Sequence, residues 1–76
     1  MTELEWLEIF STNLRELLEE RKLTQKDLAN MSGLAECAIS YYIHGQKIPS
    51  LRAIINIAYA LQISIDELID FGDAIV

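Results

Sequence analysis

Few side chains here are able to do covalent or acid–base chemistry: one histidine, His44, one cysteine, Cys37, and twelve carboxylates against six Lys and Arg in 76 residues. His44 has no His, Cys or acid cluster beside it in the sequence to make a metal site, and it suits a phosphate contact or a helix C-terminal position better. Cys37 has no second thiol in the chain to pair with, so an intramolecular disulfide is excluded and there are too few thiols for a structural zinc site; it reads as a small side chain rather than a redox sensor. No nucleophile–base pair and no phosphate-cradling glycine loop accompanies them. We therefore expect neither an enzyme nor a cofactor, metal or small-molecule binder.

What remains is electrostatics. A net charge of −6 argues against an anionic partner, but the charge is unevenly spread. All six cations (Arg15, Arg21, Lys22, Lys26, Lys47, Arg52) fall between positions 15 and 52 with only five acids, so that stretch is net +1. Glu3, Glu5 and Glu8 sit in front of it and Asp66, Glu67, Asp70 and Asp73 behind it. A middle segment of this kind can meet phosphates. The lone cysteine points to a reducing interior, and neither a signal peptide nor a membrane-length apolar run is evident, so a soluble cytoplasmic protein is expected.

The elements that must position these residues are helical. At 51% apolar and 24% charged the chain is globular in composition and long enough for one domain, 1–76, and no period-two alternation of strand length occurs. Leu7, Phe10, Leu14, Leu17 and Leu18 recur at three- and four-residue spacing, predicting a helix from about Glu3 to Lys22 with Thr2 and Glu5 as a capping box. Ser11, Thr12 and Asn13 are weak helix formers within it, so the alternative is a helix starting near Ser11 behind a separate extension of residues 1–9.

Thr24 as N-cap, with Asp27 against the dipole, predicts a second helix from Gln25 to about Met31, closed by Gly33. A third follows from about Glu36 to His44, with Ile39, Tyr42 and Ile43 on its inner face and Gly45 at its end. After a loop through Lys47 and Pro49, Ser50 caps a fourth, nearly all-buried helix carrying Leu51, Ile54, Ile55, Ile57, Ala58 and Leu61. Ser64 and Glu67 form a capping box for a fifth, from Ile65 to about Phe71. Tyr42 and Tyr59 are expected in the core, and Trp6, Leu7 and Phe10 packed on the bundle. The fold class is all-α, a bundle of about five short helices, with residues 70–76 as an acidic and apolar tail.

Ala29, small enough to let two helices cross, Gly33, able to take a left-handed turn, and Ile39, able to anchor the following helix, describe a helix-turn-helix unit at the second and third helices. The run Leu23-Thr24-Gln25-Lys26-Asp27-Leu28-Ala29, then Gly33 through Ile39-Ser40, Gly45, Pro49-Ser50-Leu51, Ile57-Ala58-Tyr59-Ala60-Leu61 and Ser64-Ile65-Asp66-Glu67-Leu68, resembles the Cro/repressor-type (XRE-like) helix-turn-helix family of phage repressors and small bacterial regulators. The resemblance spans about residues 10–69.

It implies a lambda-repressor-like domain that binds double-stranded DNA as a homodimer, a small transcriptional regulator of prophage or mobile-element type acting as a repressor. Carried over residue by residue, it puts Gln25 and the neighbouring Lys26 at phosphate, Glu36, Cys37, Ser40 and Tyr41 at base edges, and His44, Gln46 and Lys47 in the phosphate-contacting loop, with Arg52 a weaker candidate. For Tyr41, contact with thymine methyls or phosphate stands beside plain surface exposure.

Three departures from the family pattern matter. Ala35 stands where a capping Ser or Thr is frequent, Glu36 where Gln or Arg is common, and Gln62 where a glycine often ends the fourth helix. Leu18 and Ile43 replace a buried Arg–Glu pair frequent in relatives, and are expected to touch. The apolar stretch Ile65, Leu68, Ile69, Phe71, Ile75 and Val76 is expected to form a symmetric dimer interface that would hold two recognition helices about 34–36 Å apart. A protein-binding module, antitoxin-like or regulatory, with acidic ends that engage a partner, is the alternative of a different class.

Overall fold

Four of the five expected helices start behind a hydroxyl that can hold their first free N–H groups, and the computed structural model, which describes residues 2–69, begins helices there. The order is α1 (Glu3–Arg21), α2 (Gln25–Ser32), α3 (Glu36–Ile43), α4 (Leu51–Leu61) and α5 (Ile65–Leu68), with no strand among the described residues. Thr24 and Asp27 make a complete capping box, each backbone N–H donating to the other's side chain at 2.9 and 3.0 Å. At Thr2 and Ser64 only half of the expected box forms: the hydroxyl accepts from the N–H of Glu5 or Glu67. α1 runs unbroken from Glu3, so the separate-extension alternative is set aside. α5 is shorter than expected, with Ile69 already in a turn, and the expected end near Phe71 lies outside the described residues.

α1 and α4 end on residues other than glycine in the left-handed region, Lys22 (φ 57°) and Gln62 (φ 56°). Both ends are closed by a longer-range bond, Leu23 N–H to the Leu18 carbonyl and Ile63 N–H to the Ala58 carbonyl, and Leu23 and Ile63 then pack on the core. This hydrophobic closure offsets the steric cost of a Cβ at positive φ. Gln62→Gly should therefore stabilise the domain by about 0.5–1 kcal/mol, read as a rise in the urea midpoint at unchanged slope. An unchanged midpoint would mean that the extra backbone entropy of glycine cancels the gain.

The core takes one face from every helix: Phe10, Leu14 and Leu18 of α1, Leu28 and Ala29 of α2, Ile39, Tyr42 and Ile43 of α3, the inner side of α4, and Leu68 of α5. Leu18 and Ile43, the apolar pair in place of an ion pair, are both buried in this one cluster, where α1 packs on α3. Trp6 is half-buried and stacks on Phe10 with ring centroids 5.5 Å apart; Phe10 in turn meets Tyr42 edge-on at 6.3 Å.

Two expectations are corrected. α4 is not nearly all buried: Leu51, Ile55 and Tyr59 are exposed, Tyr59 to 84%, so it is no core residue. α4 packs on α2 and α5, and among the described residues those neighbours cover only its inner side, Ala53, Ile54, Ile57, Ala58 and Leu61. Leu68, expected in a dimer interface, is fully buried in its own monomer and has no surface to offer a partner.

The weak helix formers in mid-α1 tie other helices down. Ser11 donates to the Tyr42 carbonyl at 2.7 Å and Asn13 to the Leu68 carbonyl at 3.1 Å. The guanidinium of Arg15 donates to the Ile43 carbonyl at 3.0 Å, and that of Arg21 to the Leu61 carbonyl. These last two are the final residues of α3 and α4, where carbonyls lack intrahelical partners and the helix dipole is negative, so each arginine meets both needs at once.

Candidate nucleic-acid interface

A helix of eight residues with three core anchors must turn the rest of its surface outward. In α3, Ile39, Tyr42 and Ile43 are buried, while Glu36, Cys37, Tyr41 and the following His44 are exposed and Ser40 is half-buried. Spaced at one, four, five and eight residues from Glu36, these five residues share one helical face opposite the anchors. The structure thus brings together the residues expected at base edges.

The C-terminal end of α3 is held from several sides. The Ser40 carbonyl accepts from the His44 N–H at 3.1 Å, the Tyr41 carbonyl from Gln46 N–H at 2.8 Å and the Tyr42 carbonyl from Gly45 N–H at 3.3 Å, in addition to Ser11 and Arg15 from α1. Nδ1 of His44 lies 2.8 Å from the Ser40 carbonyl oxygen, which only accepts, so Nδ1 carries the proton. Gly45 takes φ 65°, and a Cβ there would come 3.2 Å from the Ser11 hydroxyl, pressing on the group that fastens Tyr42. The turn at Gly33 is also left-handed, φ 75°, with open space around it.

The start of α3 is less secure. Ala35 occupies the N-cap at φ −68°, ψ 144°, a capping conformation with no side-chain acceptor. Ala35→Ser should add a bond to the first turn and stabilise the domain by about 1 kcal/mol. For a domain of this size that is roughly 4–8 °C in Tm by calorimetry, and no rise would show that the turn already satisfies those N–H groups.

On the flanks, Gln25 is the first residue of α2 and half-buried, and Lys26 beside it is exposed. Gln46 and Lys47 are exposed in the loop after α3, and Arg52 is exposed in the first turn of α4. Asp27, in the same turn as Lys26, is held below the ordinary carboxylate range, first by the Thr24 backbone N–H, then by the Thr24 hydroxyl and the Lys26 charge. A folded-state pKa below the unfolded one makes this cap stabilising above the unfolded value, and the contribution is lost as pH falls through the folded one.

Residue spacing alone gave no sign that Arg15 and Arg21 are tied to the carbonyls that end α3 and α4; both stay exposed and keep their charge, but the bonds fix where that charge sits. α1 meanwhile exposes Glu3, Glu5, Glu8, Glu16, Glu19 and Glu20. The outward face of α3 carries one acid, Glu36.

Residues 14–68 match the family model described as helix-turn-helix. The chain belongs to this helix-turn-helix family, of the Cro/repressor (XRE-like) type. The match covers all of α2 to α5 and the C-terminal part of α1; residues 3–13 lie before it yet belong to the same helix. The family is one of DNA-binding regulators, not enzymes.

Among solved structures, the restriction-modification controller protein C.AhdI from Aeromonas hydrophila is similar, with a TM-score of 0.79 and 39% sequence identity over 82% of this chain and 94% of that one. Among curated proteins, the uncharacterized HTH-type transcriptional regulator YqaE of Bacillus subtilis (strain 168) is 34% identical over 61 residues, 80% of this chain and 53% of that protein. The chain thus spans about half the length of this curated relative. Among the described residues no helix is long and apolar enough to cross a membrane.

Proposed function

We propose that this chain binds double-stranded DNA in a sequence-specific way as a homodimer, with α3 in the major groove, and regulates transcription in the cytoplasm by occupying an operator as a repressor. The observation that carries the reading is the two-sided build of α3: one side locked into the core by Ile39, Tyr42 and Ile43, the other offering Glu36, Cys37, Ser40 and Tyr41 to base edges. Gln25 and Lys26 on one flank, and His44, Gln46 and Lys47 on the other, supply the phosphate contacts that set register but carry no sequence information. The family match and the likeness to a restriction-modification controller protein support regulation as the outcome of binding.

The test is selection of duplexes from a random pool by the purified protein at about 50 and 150 mM salt, since phosphate contacts weaken steeply over that range. Enrichment of a two-fold motif is the expected result. No enrichment at either salt would overturn the proposal in favour of a protein-binding module. Within it, Glu36 reads cytosine N4–H₂, the donor that a carboxylate suits. Glu36→Gln should then raise affinity and move the preference at one position of each half-site toward adenine, checked by repeating the selection with the variant. A uniform gain on every duplex would mean only that phosphate repulsion had been relieved.

A further inference from the structure

We infer that Arg15 of α1 is a DNA phosphate contact, forming with His44 a two-point seat for the strand that passes the C-terminal end of α3. The inference rests on the DNA reading above and carries the interface beyond α2, α3 and the loop that follows, into α1.

A DNA backbone beside the end of a helix meets a conflict of charge. The last carbonyls of α3 are short of intrahelical partners and stand at the negative end of its dipole, yet His44, the next residue, is where the proposed function puts a phosphate. A cation between the two removes the repulsion, and Arg15 is placed there. Its Nη1 donates to the Ile43 carbonyl at 3.0 Å and its Nη2 to the Thr12 hydroxyl at 3.3 Å, which fixes the guanidinium at the end of α3.

A guanidinium has five N–H donors, so three remain on a side chain that is exposed. Its planar fork suits two oxygens of one phosphate. Arg15 and His44 also line one hollow between α1 and the turn after α3, with Ser11 and Gly45 beside them, so a phosphate at His44 is within reach of Arg15. Because the side chain is already held by the protein, little of its freedom is lost when it takes the phosphate. One group in the hollow opposes an anion: Glu8, two turns before Arg15 on the same line of α1, about 10 Å away along the axis. Among the described residues no carboxylate is paired with Arg15, so its charge is not cancelled within the domain.

Titration of labelled duplexes with the full chain between about 50 and 150 mM salt, with a urea melt alongside, tests this. Arg15→Gln should weaken binding about tenfold at roughly 100 mM and flatten the dependence of log K on log salt by about one per copy, on specific and unrelated sequences alike. Arg15→Lys keeps the charge without the fork, so the slope should hold while part of the affinity goes. Arg21→Gln breaks the same kind of carbonyl bond at the end of α4 and should leave the slope as it is. Glu8→Gln leaves the Ile43 bond intact and should strengthen binding of every duplex more than Glu67→Gln on α5 does, a readout that stands even if Arg15→Gln unfolds. A purely structural Arg15 would lower the urea midpoint and the affinity at unchanged slope. That result overturns the inference, as does equal flattening by Arg21→Gln, or a Glu8→Gln gain no larger than that of Glu67→Gln. These comparisons are made against a wild type that binds; a wild type that binds no duplex overturns the DNA reading itself, and the inference with it.

Discussion

Exchanging Lys26 and Lys47 together for glutamate should lower duplex affinity about 100-fold at roughly 100 mM salt, on specific and unrelated sequences alike, and flatten the dependence of log K on log salt by about two per copy. The effect is large because the exchange reverses two exposed charges on the flanks of α3. Of the six cations, Arg15 and Arg21 are held in place by the carbonyls of Ile43 and Leu61, and Arg52 lies in the first turn of α4. That leaves Lys26 and Lys47 on the flanks of α3, with Lys22 beyond the end of α1. Both targets are exposed, and position 26 lies in the first turn of α2, where a carboxylate is favoured by the helix dipole, so stability should hold. Titration of a labelled duplex, with a urea melt alongside, separates binding from folding. Unchanged affinity in a folded double variant would remove α3 and its flanks from the DNA reading.

Phe10→Ala should destabilise the domain by about 3–5 kcal/mol, a large part of the roughly 4–11 kcal/mol that 76 residues support. Phe10 is fully buried and carries two aromatic neighbours, Trp6 stacked on one face and Tyr42 edge-on. Truncation leaves a void between α1 and α3 and removes the platform under Trp6. Because Tyr42 is one of the three anchors of α3, duplex binding should fall with stability instead of independently of it. Urea unfolding followed by the fluorescence of Trp6, the chain's one tryptophan, reads the change directly. A loss below about 1 kcal/mol would mean that Trp6 or Leu14 fills the space, since the cost of such a change depends on how far the site collapses.

Helix starts were legible because hydroxyl caps are local: Thr2, Thr24, Ser50 and Ser64 each act within three residues of themselves. The two-sided character of α3 was legible for a similar reason, since a three- and four-residue period separates Ile39, Tyr42 and Ile43 from the polar positions without knowledge of neighbours. What periodicity does not contain is which neighbours exist. α4 is apolar on both sides, and only the placement of α2 and α5 decides that Ile57 is core and Tyr59 is surface. Leu68 has the same composition-level signature as Ile65, yet one faces the core and the other solvent. Arg15 and Arg21 looked like free charge because their partners are backbone carbonyls 28 and 40 residues away, and every residue type carries such a carbonyl.

The ties from α1 also bear on how the chain acquires its fold during synthesis. Ser11, Arg15, Arg21 and Asn13 wait for carbonyls 31, 28, 40 and 55 residues further on. Three of those carbonyls lie in α3 and α4, so α1 is fastened stepwise as those helices follow it. A four-residue α5 is too short to hold itself helical unaided. The bond from Asn13 to the Leu68 carbonyl is therefore the last of the four to form, and it locks α1 to α5.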